Sequence, residues 1–119
     1  MFKIKHAYDP PTPGDGKRIL VDRLWPRGLT KARAALHEWD KEIAPSDALR
    51  RWYGHRPERW ETFKARYAQE VRESHAEDAA RLRALAREGV VTLLFASREP
   101  ELNNAAALKA IITEQRRRA

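Results

Sequence analysis

The sequence predicts an α/β fold with a small, mainly parallel sheet of three or four strands flanked by helices. Short apolar, β-branched runs alternate along the chain with longer segments in which apolar residues recur every three or four positions. The two most apolar runs show no polar alternation, which is typical of parallel strands covered on both faces. The 119 residues are close to the usual size of one domain, so we expect residues 1–119 to fold as a single domain.

Four segments have the residue pattern of strands. Residues 2–5 alternate polar and apolar side chains, and residues 18–22 form a short β-branched run. Residues 90–96 are the most continuously apolar segment and are predicted to be the central strand. Residues 37–43 fit either a helix or a strand, and we favour an edge strand. The Pro-Gly-Asp-Gly sequence at 13–16 is predicted to be a turn and not a phosphate-binding loop, because it precedes a strand instead of a helix.

The helices are predicted from their end signals and their apolar stripes. Thr30 is a suitable N-cap for a short helix through residue 36. Ser46 caps a helix that runs to about Tyr53 and ends at Gly54. Further helices are predicted at 57–74, at 77–88 and from Pro100 to the arginines at 116–118, which would complement the helix dipole.

Composition excludes several kinds of site. The chain has no Cys, so it has no disulfide, no thiolate nucleophile and no cysteine zinc site. Its four His residues lack the spacing of metal ligands, and we expect neither a metal nor a cofactor. No apolar stretch approaches a membrane span and the first residues are unlike a signal peptide, so we expect a cytoplasmic protein.

Two predicted strands end in polar loops that carry arginines. One loop contains Asp22 and Arg23 and continues to Arg27, and the other contains Arg98. If the two strands are parallel neighbours, their loops meet at the edge where open α/β sheets bind ligands. Arginines and helix N-termini at that edge favour a phosphate or a carboxylate. The sequence therefore predicts a pocket for a small anionic ligand.

Asp22 and Arg23 are the candidate catalytic residues. Asp22 would orient the arginines or act as a general base, and we favour orientation because neighbouring positive charge lowers a carboxylate pKa. The alternative is an ion-pair network that only fastens the loop. Further ligand-binding candidates are Arg27, Arg98, Tyr8, Trp25 and His55. Tyr8 ends the first strand, Trp25 would either cover a ligand or anchor a turn, and His55 lies in a predicted loop.

Several strings taken together resemble the YeaO-like family, a branch of the domain of unknown function 488 family. They are Tyr8-Asp9-Pro10-Pro11, the Leu-Val-Asp-Arg-Leu-Trp-Pro-Arg-Gly string at 20–28, Ala44-Pro45-Ser46, and residues 52–60 and 92–104. The resemblance implies a small bacterial or archaeal α/β protein whose signature lies in the Asp22-Arg23 region and in the loop after the last strand. It adds Asn103 to the ligand-binding candidates, whereas Asn104 stands where the family commonly has His.

The leading functional prediction is a domain that binds a small phosphorylated or carboxylated compound, and the sequence leaves open whether it is an enzyme. One alternative is a nucleic-acid-associated basic module, suggested by the net charge of +7, the pI near 10.1 and the arginines at 116–118. Another is a non-catalytic regulatory or interaction protein, which would expose an apolar patch on one helix. No membrane association is expected.

Overall fold

The computed structural model describes residues 1–118, with side chains through residue 113. A parallel sheet is formed by strands β1 (Phe2–His6), β2 (Lys17–Leu20), β3 (Glu38–Trp39) and β4 (Val91–Phe95), in the spatial order β1-β4-β2-β3. The helices are α1 (Lys31–Ala34), α2 (Asp47–Tyr53), α3 (Trp60–Ser74), α4 (Ala76–Glu88) and α5 (Asn104–Arg118). The predicted α/β class and parallel sheet are confirmed. None of the described helices has the length and apolarity needed to cross a membrane.

Strand β4 lies between β1 and β2 and is buried along its whole length. Val91 is opposite Phe2 on one side and Lys17 on the other, which fixes the register of both pairings. Alternate β4 side chains enter different clusters: Leu93 packs in the larger core and Leu94 in a smaller one. Two covered faces explain why this segment shows no polar alternation.

The larger core lies between the sheet and helices α2 to α5, and the smaller one lies beneath α1. Phe63, Tyr67 and Val71 form the buried stripe of α3, as their spacing predicted. Leu29 and Ala34 cover the opposite face of the sheet. Helices on both faces hold the sheet edges and their loops in a defined arrangement.

The predicted caps of α1 and α2 are confirmed. The Thr30 hydroxyl accepts a hydrogen bond from the Arg33 N–H at 3.1 Å, and the Ser46 hydroxyl accepts one from the Leu49 N–H at 3.2 Å. Gly54 ends α2 in the left-handed conformation with φ of 52°.

Several element boundaries differ from the sequence prediction, and α1 ends at Ala34 instead of residue 36. The edge strand β3 spans two residues instead of seven. The segment predicted as helix 57–74 begins with a 3-10 turn at Pro57–Arg59. The last helix begins at Asn104 and not at Pro100, because the Asn103 side chain accepts a hydrogen bond from the Ala106 N–H at 2.9 Å and thus acts as its N-cap. The side chains at 116–118 lie outside the described part of the chain.

A buried ion pair fastens the loop before β2 to the sheet. Arg18 is 3% exposed and its guanidinium donates to the Asp15 carboxylate at 2.8 Å and to the Ala34 carbonyl at 3.0 Å. Lys5 also donates to Asp15, at 3.0 Å. Asp15 thus accepts bonds from two strands while its own loop turns sharply at Gly16, where φ is 60°.

Candidate functional site

A cavity of about 290 Å³ opens at the carboxyl edge of the sheet, where β2 and β4 end side by side. The two loops that follow these strands meet there, as the parallel arrangement predicted. The walls are mostly apolar, and the polar and charged lining residues are Asp22, Arg23, Arg27, Arg50, Tyr53, His55, Ser97, Asn103 and Asn104. A largely apolar cavity wall that also carries polar groups is the usual form of a small-molecule site.

Asp22 joins the β2 loop to the β4 loop and to the start of α5. One carboxylate oxygen accepts a hydrogen bond from the Ala96 N–H and the other from the Asn104 amide, each at 2.8 Å. The Asn104 amide also donates to the Val21 carbonyl at 2.8 Å. Burial raises the pKa of Asp22, and the two hydrogen bonds and the nearby His6 oppose that rise. Because both oxygens are engaged, Asp22 holds three chain segments together.

Arg23 lies across the cavity wall and is incompletely satisfied. One terminal nitrogen is 3.3 Å from the Ala44 carbonyl oxygen and 3.5 Å from that of Pro45. Among the described residues its buried Nε has no hydrogen-bond partner, since the Asp47 carboxylate lies 3.8 Å away. A guanidinium N–H that is shielded from water and has no hydrogen-bond partner destabilises the folded state.

The cavity wall carries more positive than negative groups. Arg23, Arg27 and Arg50 line it, whereas Asp22 is the one carboxylate among the described lining residues. The Arg50 guanidinium is 3.5 Å from the Asp47 carboxylate, in an exposed contact that contributes little. The described lining residues therefore have an excess of positive charge.

Trp25 and Tyr8 support the loop that forms one side of the cavity. The Trp25 indole N–H donates to the Leu29 carbonyl at 2.6 Å, and its ring meets Trp39 edge to face with centroids 5.4 Å apart. The Tyr8 hydroxyl donates to the Arg27 carbonyl at 2.7 Å, but Tyr8 does not line the cavity. Trp25 thus anchors a turn and also presents a face to the cavity.

His55 lies at the cavity rim in an unusual backbone conformation. It follows Gly54 and has φ of 57°, a value that few residues other than glycine adopt. Its ring lies 6.0 Å from that of Tyr53, centroid to centroid. The neighbouring Tyr53 hydroxyl donates to the Leu102 carbonyl at 2.9 Å, so the turn and the loop before α5 are connected.

Two further candidates have different positions. Asn103 lines the cavity, but its amide nitrogen donates to the Glu99 carbonyl at 2.9 Å and its oxygen caps α5. Arg98 is exposed and is not among the lining residues. The structure therefore brings together six of the eight candidates, namely Asp22, Arg23, Trp25, Arg27, His55 and Asn103.

Sequence reasoning missed Arg50, Tyr53 and Phe63, which also line the cavity. Arg50 and Tyr53 are three positions apart in α2 and so share one face of that helix. This spacing was a usable signal, but it could not show that α2 packs beside the ends of β2 and β4.

Proteins that resemble this chain do so over nearly its whole length. The family model described as "Inactive DUF488-N3 subclade" matches residues 1–119. The uncharacterized protein YeaO of Escherichia coli K12 is 42% identical over 107 residues, which cover 90% of this chain and 92% of YeaO. The uncharacterized protein Rv3073c of Mycobacterium tuberculosis H37Rv is 40% identical over 110 residues, or 92% of each chain. No solved structure matches the chain significantly. The chain belongs to the YeaO-like branch of the DUF488 family.

Proposed function

We propose that the cavity binds a small ligand with an anionic group and an apolar body, and that it catalyses no reaction on that ligand. The observation that carries the proposal is the Arg23 Nε, which is buried in the cavity wall without a hydrogen-bond partner among the described residues. A carboxylate or phosphate oxygen would supply the missing acceptor once the Arg23 side chain turns its Nε toward the cavity. Arg27 and Arg50 add positive charge on the same cavity.

The shape of the cavity supports a ligand larger than a bare anion. Its volume of about 290 Å³ is near the lower end of the range for small-molecule sites. Trp25 provides aromatic surface that an apolar or planar body would cover, whereas Tyr53 and Phe63 line the cavity but are themselves buried. Burial of that surface would contribute the affinity, and the arginines would fix the orientation of the ligand.

The arrangement of Asp22 supports binding without catalysis. The Asp22 carboxylate is held in one orientation by a hydrogen bond at each oxygen, one from Ala96 and one from Asn104, and these bonds join the two strand-end loops. Asp22 is then a positioning residue that holds the Arg23 loop in place. The description of the matching family model as an inactive subclade supports the same conclusion.

Thermal unfolding with a small set of anions tests the proposal. Phenyl phosphate, benzoate, AMP and inorganic phosphate are added separately, and binding to the folded state raises the melting temperature. We expect the aromatic anions to stabilise the protein more than inorganic phosphate does. A ligand at about 100 times its dissociation constant would add about 3 kcal/mol.

Three variants make the test specific to the cavity. Arg23→Ala removes the unpaired donor, Arg23→Lys keeps the charge without the guanidinium fork, and Arg87→Ala removes an exposed charge from the end of α4. We expect both Arg23 variants to lose the shift and Arg87→Ala to keep it. Equal shifts in all three folded variants would refute the proposed site. Phosphate release from phenyl phosphate that is lost in Asp22→Asn would refute the non-catalytic assignment.

A further inference from the structure

The last turn of α2, the turn after it and the first half of α3 carry a large part of the net positive charge. Residues 50–66 contain six Arg and Lys residues against two Glu, while the whole chain has a net charge of +7. We use the name Trp52 surface for Trp52 with the four arginines at 51, 56, 59 and 66. This surface lies outside the cavity lining.

Two of these arginines stack on the same indole ring. The guanidinium carbon of Arg59 lies 4.9 Å from the centroid of the Trp52 ring, and that of Arg66 lies 4.3 Å from it. Arg59 also donates to the Trp52 carbonyl, and Trp52 itself packs against the larger core. Stacking orders a guanidinium while its N–H edges stay available for phosphate oxygens.

The arginines of the Trp52 surface lack acidic partners among the described residues, although acids are available nearby. Lys64 pairs with Glu61 at 3.0 Å, and Arg50 lies 3.5 Å from Asp47. On α4, by contrast, Arg81 forms ion pairs with three acids at once, Glu38, Asp40 and Asp78. The fold thus neutralises a cation at one place and, at another, leaves the four arginines of the Trp52 surface without an acidic partner among the described residues.

We propose that the Trp52 surface binds the phosphodiester backbone of single-stranded nucleic acid. Its cations are spread over two helices and a turn instead of converging on one cavity, which suits a chain of phosphates better than a single anion. Aromatic rings interleaved with arginines are typical of single-strand binding, in which bases also stack on guanidinium planes. Duplex readers instead place one helix in a groove. This function is separate from ligand binding in the cavity.

Fluorescence anisotropy of labelled single strands, dT and rU oligomers of about 20 nucleotides, tests the proposal with the full chain. If four phosphates are contacted, a plot of the logarithm of the association constant against the logarithm of the salt concentration should have a slope of about −3. At about 50 mM salt each lost contact weakens binding roughly eightfold, so the double variant R59A/R66A should bind roughly sixty-fold more weakly. The matched double variant R72A/R87A removes two exposed arginines elsewhere and should bind within about threefold of wild type. Trp52→Leu keeps the charge and should weaken binding, with thermal melts confirming that every variant is folded.

Several results would overturn the proposal. Equal losses in the two double variants would show that net charge alone causes retention. A folded Trp52→Leu protein that binds like wild type would remove the role of the ring. Tighter binding to a duplex of the same length, or binding to phosphatidylglycerol vesicles without binding to oligonucleotides, would assign the surface to another partner. These variants should show the same ligand-induced rise in melting temperature as wild type. The test of nucleic-acid binding is therefore independent of the test of ligand binding in the cavity.

Discussion

Asp15→Asn is expected to destabilise the fold more than most single substitutions would. The Asp15 carboxylate accepts bonds from Arg18 at 2.8 Å, from Lys5 at 3.0 Å, and from the Thr12 hydroxyl and N–H at 2.8 and 3.0 Å. An amide in its place carries no charge and can accept at one atom only. Arg18, which is 3% exposed, would then be a buried cation with backbone carbonyls as its remaining partners.

The size of the effect follows from the burial of that guanidinium. Removing one partner of a buried ion pair costs about 3–5 kcal/mol, because the other charge stays buried and uncompensated. Since domains of this size are stable by about 5–15 kcal/mol, the variant would lose a third or more of its stability in most cases. The melting temperature should fall by roughly 10–20 °C.

The effect of Asp15→Asn can be measured by urea unfolding followed through the fluorescence of the four Trp residues. The double variant Asp15→Asn with Arg18→Met removes both charges and should be more stable than Asp15→Asn alone. Burial by itself would raise the pKa of Asp15, but bonds from Lys5, Thr12 and Arg18 outweigh it and lower the pKa. The stabilisation of the folded state by the ionised Asp15 is therefore present above about pH 4 and is lost as the pH falls and the carboxylate is protonated. A loss under about 1 kcal/mol at neutral pH would refute the reasoning.

Two further predictions concern the turn before β2 and the acidic group beside α4. Gly16→Ala should unfold the protein or cost more than about 2 kcal/mol, because φ is +60° and a Cβ would lie 2.2 Å from the Val90 carbonyl oxygen. Gly14→Ala, whose Cβ would meet nothing closer than 3.9 Å, is the control, and equal urea midpoints would contradict this prediction. The pKa of Asp40 is raised to about 7, chiefly by burial and further by the neighbouring Asp78 and Glu38. The Asp40 carboxyl group therefore keeps its proton to a higher pH in the folded state than in the unfolded chain. The stability of wild type should therefore fall relative to Asp40→Asn as the pH rises from about pH 4 to about pH 7, and parallel pH curves would contradict this prediction.

The sequence predicted most of the fold because its signals are local. The uninterrupted apolar run ending at Phe95 indicated a strand covered on both faces, and the hydroxyls of Thr30 and Ser46 marked helix starts within one turn of the groups they cap. The boundary at Pro100 was wrong, because proline and asparagine both suit a helix start and the side chain of Asn103 caps the next turn instead. Local preference thus identified the element but not its first residue.

The candidate site was predictable to the extent that it depends on strand order. Two strand-end loops meet wherever their strands are parallel neighbours, so the sequence by itself determined that the Asp22 loop would meet the loop after β4 if the two strands were adjacent. The structure places β2 and β4 side by side, and Asp22 accepts a hydrogen bond from Ala96. The sequence could not determine the direction of the side chains. Arg98 is exposed and lies outside the cavity lining, whereas Arg50 of α2 is one of the lining residues. Tertiary packing decided these contacts, along with the burial of Arg18 against Asp15. Such pairings join residues on different elements, and their cost or benefit depends on how far packing excludes water, which no local pattern encodes.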